Sequence, residues 1–430
     1  MSSEHTDYVS EVKKLLEEVA PFRRSLMGPG NEQTLNVLGR GLPMERLEFA
    51  TGQRVLDWTV PSEWVLDRAT LSDEAGNILI DSNESVLNVV NYSRPFKGWV
   101  DRVELEKHLF SNPETPDATP YVTSYYGENW GLCISKERRD TLVDDKYFVD
   151  IATSFKPGNV SVGQVYLPGE TDEEILFSSY VCHPQMINDE IAAPVALSIL
   201  ARELAAKTSR RYSYRFVFLP ETIGALCLLD RIGQTLIEKC IAGFAVANVA
   251  RDEPLRAKRS RRGDSLADRA IEQLMAEAGT LSRLNEFAPL GSDERQYCSP
   301  GFNLPVCAVT RSVADFPEYH TSADDMTSAS LKGVSDTVNE FMKLCSVIEN
   351  NHVYRSLSPY GEPNLGKRDL YPKFGGANHR ENKVTGLLWL LNLADGSNDL
   401  LHIAKRSGVE FALLSELAAE CEAKGLLECL

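Results

Sequence analysis

Alternation of apolar strand segments and helical segments between residues 174 and 249 is the feature that most constrains the fold of this chain. These strands and helices, in order, lie at residues 175–181, 192–207, 214–219, 224–239 and 241–249. Such alternation favours a mainly parallel sheet covered by helices, because parallel neighbours need long connections. A helix, a strand and a second helix continue the pattern at residues 265–277, 306–311 and 331–350. We therefore predict an α/β fold with a mainly parallel sheet flanked by helices.

Other parts of the chain show different patterns of apolar and turn-forming residues, which predict further domains. An amphipathic helix opens the chain at residues 8–19, and short β-prone runs follow at residues 55–60, 64–69, 77–81 and 121–126. After a Pro/Gly-rich segment, three helical patterns in the order of a winged-helix unit lie at residues 387–393, 400–407 and 411–424. The predicted catalytic α/β domain consists of residues 1–46 and 151–357. An inserted β-rich domain is predicted at residues 47–150, and a winged-helix-like domain at residues 358–430.

Composition and charge narrow the classes of function. The net charge of -17 repels nucleic acid and anionic membranes over most of the surface, so nucleic-acid binding is not expected. The sequence has no apolar run near the roughly 18 residues of a membrane span, and residues 1–5 lack a secretory-signal pattern. Nine scattered cysteines without a Cys-x-x-Cys pair fit a reducing compartment. We expect a cytoplasmic protein that acts on a small molecule or short peptide; a homo-oligomer is compatible with these features.

Polar residues that can bind a metal or move a proton follow the predicted strands. His183 and Asp189 come after the first strand of the alternating region, and Glu221 comes after the second. Asp293 and His320 lie in later polar segments. Ligands of an open parallel sheet bind beyond the carboxyl ends of its strands. Imidazole and carboxylate groups with one open position suit a hydrolytic zinc site, and a further carboxylate can accept the proton of water.

Each of these residues also has a structural alternative. A single histidine is more often structural than a ligand, and Asp189 is placed to cap the following helix. Asp293 fits a turn, and Glu221 fits the first turn of a helix, where the helix dipole favours a carboxylate. The residues taken alone leave both interpretations open.

Basic and aromatic residues near these segments are candidates for binding and catalysis. Guanidinium groups bind carboxylate or phosphate through paired hydrogen bonds, although a solvated basic loop is the alternative for the run at residues 251–262. The candidates for substrate binding are Arg259, Arg261, Arg262 and Arg295. Tyr297 and Tyr319 lie beside two of the proposed ligands, where each either stabilises an oxyanion or packs in the interior.

Five short segments together resemble a known family. They are Cys182-His183-Pro184, Asn188-Asp189, Pro220-Glu221-Thr222-Ile223-Gly224, Ser292-Asp293-Glu294-Arg295-Gln296-Tyr297 and Glu318-Tyr319-His320-Thr321-Ser322. The pattern resembles the aminopeptidase-like family of polysaccharide-biosynthesis proteins, within the co-catalytic zinc aminopeptidase clan. The resemblance extends over nearly the whole chain, including the β insertion and the winged-helix tail. It implies that the metal is bound by His183, Asp189, Asp293 and His320, and that Glu221 is the general base.

The sequence also departs from the clan. Clan members usually carry an aspartate two residues after the first histidine, where this chain has Gln185, and an acidic residue after the base, where it has Thr222. One metal position has therefore lost a ligand, so we expect one zinc ion, with two as the alternative. Glu190 stands where the family usually has a small residue, and it either adds a ligand or faces solvent.

The resemblance implies a zinc-dependent hydrolase that cleaves an amide or peptide bond in a small amino-acid-like substrate. One alternative in the same clan is acyl transfer of the glutaminyl-cyclase type. Another is a non-catalytic regulator that senses a metabolite and binds DNA through its tail. The last two helical patterns of the tail contain Lys405 and Arg406 but four glutamates between residues 410 and 422, which favours a protein-contact role.

Overall fold

The structure, a computed structural model, describes residues 6–313, 316–370 and 377–430, with side chains omitted for 377–381. The opening residues 1–5 and the last part of the Pro/Gly-rich segment, residues 371–376, lie outside the described residues. The α-helices are α1 (Val9–Val19), α2 (Pro29–Leu38), α3 (Arg102–His108), α4 (Lys136–Asp140), α5 (Ala192–Ala205), α6 (Ile223–Lys239), α7 (Leu266–Glu277), α8 (Glu294–Tyr297), α9 (Leu331–Glu349), α10 (Ala377–Leu393), α11 (Leu400–Ser407) and α12 (Phe411–Ala423).

The strands are β1 (Met44–Ala50), β2 (Arg54–Val55), β3 (Trp58–Thr59), β4 (Glu63–Ser72), β5 (Ile78–Asp81), β6 (Phe96–Asp101), β7 (Leu109–Phe110), β8 (Leu132–Cys133), β9 (Lys146–Lys156), β10 (Asn159–Leu167), β11 (Glu174–Tyr180), β12 (Ser213–Leu219), β13 (Cys240–Val246), β14 (Arg256–Lys258), β15 (Leu284–Asn285), β16 (Val306–Thr310), β17 (Val353–Ser356), β18 (Asp395–Asp399) and β19 (Leu427–Cys429). Contacts divide the chain into a larger unit, residues 7–263 and 285–338, and a smaller unit that contains residues 264–284 and 339–430. The division into three domains from the sequence stays a prediction.

The main sheet of the larger unit has the order β1-β10-β12-β11-β13-β16-β14-β15. Its centre, β12-β11-β13-β16, is parallel, whereas β1, β10 and β14 pair antiparallel towards the edges. Every residue of β11 and β12 is buried. Parallel strands covered on both faces are expected to be mostly apolar. Apolar residues predominate in these two strands, and their buried charges, Glu174 and Arg215, pair with each other (2.7 Å). The predicted α/β fold with a mainly parallel sheet is confirmed.

A second sheet of the larger unit, β5-β4-β9-β6, lies in the segment with short β-prone runs. It has its own core, which includes Leu71 of β4 and Val149 of β9. The strand expected at residues 121–126 is wrong, because the described backbone there forms only one isolated bridge, between Asn91 and Thr123. The Tyr121 N–H instead donates to the His320 carbonyl (2.7 Å), so tertiary contacts override the local β propensity.

The smaller unit combines three terminal helices with one helix from the middle of the chain. Helices α10, α11 and α12 pack on one another beside the sheet β18-β17-β19, and α11 also packs on α7. Helix α7 begins with a capping box between Ser265 and Asp268. Helix α10 starts ten residues before the predicted segment. Across both units, the described helices include none with the length and apolar character needed to cross a bilayer.

Candidate metal centre

Three of the predicted ligands come together beyond the carboxyl ends of the central strands. His183 follows β11, Asp189 lies in the short π-helical segment Ile187–Ile191 before α5, and His320 lies in the loop before α9. The ligand atoms that these three side chains offer lie within 4.8 Å of one another. The imidazole Nε2 of His320 is 2.9 Å from Oδ2 of Asp189. Two imidazoles and a carboxylate are a ligand set that suits zinc and leaves a fourth position open.

The surroundings of Asp189 also fit a bound cation. Its Oδ1 accepts a hydrogen bond from the Tyr180 hydroxyl (3.1 Å). Its Oδ2 is buried and has no hydrogen-bond donor among the described residues, since the close contact with His320 lacks hydrogen-bond geometry. A buried carboxylate oxygen without a partner is costly. A metal ion between Asp189 and the two histidines would remove that cost.

Glu190 orients His183 and does not face solvent. Its carboxylate is buried, and its Oε2 lies 2.7 Å from Nδ1 of His183. A carboxylate at Nδ1 leaves Nε2 as the nitrogen available to a metal. The Arg24 guanidinium lies 3.8 Å from Oε1 of Glu190 and donates to the His183 carbonyl (3.0 Å). Cys182 is also close, and burial raises the pKa of its thiol to about 12. Because Nδ1 of His183 already contacts the Glu190 carboxylate, we assign that side of the ring to orientation.

A strained turn between β12 and α6 presents Glu221 to the same region. Thr222 has φ 64° and ψ -71°, and the Ile223 N–H donates to the Glu221 carbonyl (2.7 Å), which closes a γ-turn. Positive φ is costly for a β-branched residue and persists only where neighbours hold it. Here the Thr222 N–H donates to Oδ1 of Asp293 (2.7 Å). The Ser292 hydroxyl donates to Oε1 of Glu221 (2.7 Å) and fixes that carboxylate.

A cavity of about 460 Å³ joins one proposed metal ligand to the proposed base, since Asp189, Glu221 and Tyr319 all line it. The Tyr319 ring stacks on the His320 imidazole, with 4.0 Å between ring centroids. Burial raises the pKa of Tyr319 to about 12. Its phenol therefore keeps its proton at neutral pH and can donate a hydrogen bond to a developing oxyanion.

Comparison with known proteins identifies the family. The family model described as a domain of unknown function (DUF4910) matches residues 13–351, and a winged helix-turn-helix model matches residues 352–429. The chain belongs to the DUF4910 family. A relative from Clostridium acetobutylicum, provisionally named a polysaccharide biosynthesis protein with an aminopeptidase-like domain, is 38% identical over 93% of this chain and 92% of its own.

Solved structures also resemble this DUF4910 member over most of its length. The crystal structure of a provisionally named peptidase from Clostridium acetobutylicum is 36% identical and has a TM-score of 0.90, over 98% of this chain and 96% of that one. A zinc aminopeptidase from Bacillus subtilis is 11% identical with a TM-score of 0.56, over 79% and 93% of the two chains, which shows the fold alone. The resemblance to aminopeptidase-like proteins and the C-terminal winged helix are both confirmed.

The departures from the clan pattern have visible structural consequences in this DUF4910 member. The Gln185 amide accepts a hydrogen bond from the Ser85 hydroxyl (2.8 Å), and the buried Glu190 supplies the carboxylate at Nδ1 of His183. Thr222 cannot provide a carboxylate and instead forms the centre of the γ-turn.

Two predicted site residues, Asp293 and Tyr297, make contacts other than those expected, although Asp293 lines the same cavity as Asp189 and Glu221. Asp293 is not in the group formed by the other three ligands; it holds the Thr222 turn, and its Oδ2 is buried without a partner among the described residues. Burial, and then the charge of Glu221, raise the pKa of Asp293 well above its usual range. The Tyr297 hydroxyl lies 2.8 Å from the Ser178 hydroxyl in the core, which favours packing over oxyanion stabilisation. A ligand role for Asp293 stays a prediction.

The arginines predicted to bind substrate contact the protein itself. Arg259 pairs with Glu286 (3.3 Å), while Arg261 and Arg262 donate to the side chain and the carbonyl of Asn303. Arg295 reaches the Thr222 hydroxyl (3.4 Å). Within the part of the chain that the structure describes, none of the four lines the cavity. Its basic lining residues are instead Arg256 and Lys258.

Two residues that support the proposed ligands, Asp324 and Tyr121, were not predicted from the sequence. Asp324 accepts the backbone N–H groups of Asn188 (2.7 Å) and Asp189 (2.8 Å) and so fixes the ligand loop. The Tyr121 ring contacts the rings of His183 and His320, with centroids 5.0 and 5.3 Å apart. The sequence could have indicated Asp324, since this carboxylate comes four residues after His320. Nothing in the sequence indicates Tyr121, because nearly 200 residues separate it from that histidine.

Proposed function

We propose that this protein is a metal-dependent hydrolase that cleaves an amide or peptide bond in a small amino-acid-like substrate. The ligands proposed for one zinc ion are His183, Asp189 and His320. The observation that carries the proposal is that Asp189 of this group and the carboxylate of Glu221 line one cavity, beside Tyr319, which stacks on His320. The aminopeptidase-like domain in the name of the relative supports the same chemistry.

The side chains of the cavity have complementary roles in such a reaction. A bound zinc ion supplies Lewis-acid chemistry and makes water at the site more acidic. Glu221, held by Ser292, accepts the proton of the attacking water and passes it to the leaving amine. The protonated phenol of Tyr319 donates a hydrogen bond to the oxyanion that develops on the carbonyl oxygen.

Metal analysis and one pair of variants test this proposal. We expect roughly one zinc ion per chain in the purified protein, and its loss in His320→Ala, because a methyl group cannot replace an imidazole ligand. In Glu221→Gln we expect zinc to remain while hydrolysis falls by about a hundredfold or more, because the proton acceptor is gone. A screen of aminoacyl and N-acyl amides supplies the substrate for this comparison.

Three outcomes would contradict parts of the proposal. Full zinc occupancy in His320→Ala would remove that ligand from the assignment. Unchanged hydrolysis in Glu221→Gln would rule out the general base. A product that has lost ammonia without taking up water would indicate the acyl-transfer alternative.

A further inference from the structure

Arg256 places a positive charge in the wall of the cavity that contains Glu221. It lies on β14, and with Lys258, two residues further along, it occupies the same face of that strand. Both side chains line the cavity. A carboxylate-rich cavity with basic residues in its wall can distinguish the two ends of a bipolar ligand.

Only one of these two cations has its donors satisfied by the protein. Nζ of Lys258 donates to the Ala288 and Leu290 carbonyls and to Oε1 of Glu294. Three acceptors match the three donors of an ammonium group. In contrast, the Arg256 guanidinium makes no hydrogen bond or ion pair with the described residues, and its Nε is buried without a partner. Leaving such a donor unpaired is costly unless a ligand accepts from it.

We propose that Arg256 binds an oxyanion of the substrate, a carboxylate or a phosphate, at a position away from the bond that is cleaved. A guanidinium donates two parallel hydrogen bonds to such a group. Asp189 and Glu221 also line the cavity and repel an anion, whereas Arg256 attracts one, so we place the acidic group at Arg256 and the amide near those two carboxylates. The inference rests on the proposed hydrolase function and specifies its substrate class as acidic amides.

Calorimetric titration of the purified protein tests this without depending on turnover. The probes are all blocked as α-amides, so that only the side chain carries charge: N-acetyl-glutamate α-amide, its neutral isostere N-acetyl-glutamine α-amide, and N-acetyl-O-phosphoserine α-amide. We expect at least one acidic probe to bind about ten- to a hundredfold more tightly than the neutral one, the range expected for charge-assisted hydrogen bonds. The acidic probe that binds more tightly identifies carboxylate or phosphate as the preferred group.

Arg256→Gln should lose this preference, and the matched variant Arg261→Gln should keep it, because the Arg261 guanidinium binds Asn303 and does not line the cavity. The melting temperature of Arg256→Gln should stay within a few degrees of the wild type, since no described side chain depends on Arg256. Equal binding of acidic and neutral probes, no binding at millimolar concentration, or an acidic preference that survives in Arg256→Gln would overturn the proposal. Glu221→Gln keeps Arg256 and removes a repelling charge, so it should bind the acidic probe at least as tightly as the wild type does. Loss of hydrolysis in that variant with retained binding of the acidic probe would leave the Arg256 inference standing.

Discussion

Glu190 determines which nitrogen of His183 is available at the candidate metal centre. Its contact with Nδ1 is 2.7 Å, and its other oxygen faces Arg24. We expect Glu190→Gln to weaken zinc binding by about ten- to a hundredfold, because a neutral amide makes the imidazole a poorer ligand. Competition with a chromogenic chelator measures this affinity.

Gln185→Ala is the matched control for Glu190→Gln, because Gln185 lies on the same loop but binds Ser85 rather than His183. Its zinc affinity should stay close to that of the wild type. A Glu190→Gln protein that is less stable when metal-free but binds zinc normally would show that Glu190 only balances the charge of Arg24.

The single residues show what the sequence could and could not predict. His183, Asp189 and His320 are candidates from their positions after strand ends or in short polar segments, and the family resemblance is what implies that they bind a metal. The orienting contact of Glu190 cannot be predicted from the sequence, because a sequence does not show whether a side chain next to a helix start points inward. The sequence does not distinguish Arg256 from the other basic residues between residues 251 and 262 as a substrate-binding candidate, because these residues look equivalent until their contacts are known. The parallel sheet is predictable because mostly apolar strands such as β11 and β12 alternate with helices along the chain.

The γ-turn between β12 and α6 couples Asp293 to Glu221. Asp293→Ala removes the acceptor of the Thr222 N–H, so we expect the turn to relax and hydrolysis to fall by about tenfold or more, since small displacements of catalytic groups are costly. Zinc content should not change. Activity assays and metal analysis on the same preparation measure both effects.

Asp293→Asn is the informative companion, because an amide oxygen can still accept from the Thr222 N–H. It should keep most of the activity that Asp293→Ala loses. If both variants lose zinc, Asp293 is a metal ligand, as the family resemblance implied, and its role in the turn is secondary.

Asp399 caps the start of helix α11, and we expect its negative charge to stabilise the folded protein. Asp399 accepts the His402 N–H (2.9 Å) and the Asn351 amide (2.9 Å), and it pairs with Arg269. Burial alone would raise the pKa of Asp399, but the hydrogen bonds from Asn351 and Arg269 and the cap lower it below its usual value. The stabilisation is therefore present above the unfolded pKa of about 4 and is lost as pH falls through the lower folded pKa.

Asp399→Asn tests this, since asparagine also caps helices and the variant removes only the charge. At pH 7 we expect it to lower the free energy of unfolding by about 0.5–1 kcal/mol, as is typical of a partly exposed ion pair. The difference from the wild type should shrink between about pH 5 and pH 3. Urea unfolding at several pH values measures it, and a difference that does not change with pH would refute the charge effect.

The charge of the whole molecule bears on whether the winged helix reads DNA. A winged helix that reads DNA places its recognition helix in the major groove and needs basic groups for the phosphates. Helix α12 is the corresponding helix of this domain by chain order, and its solvent side carries Glu416 and Glu422. The net charge of -17 adds long-range repulsion.

We therefore expect no binding of duplex DNA at about 150 mM salt, where even basic proteins rely on neutralising several phosphates to bind. Fluorescence anisotropy of labelled duplexes over a range of salt concentrations measures this. Weak binding that appears only at low salt would be non-specific and would fit the expectation. Sequence-dependent binding that persists at about 150 mM salt would contradict this expectation, because such binding requires a basic surface that α12 does not present. It would also assign the winged helix the regulatory role that the acidic residues of α12 argue against.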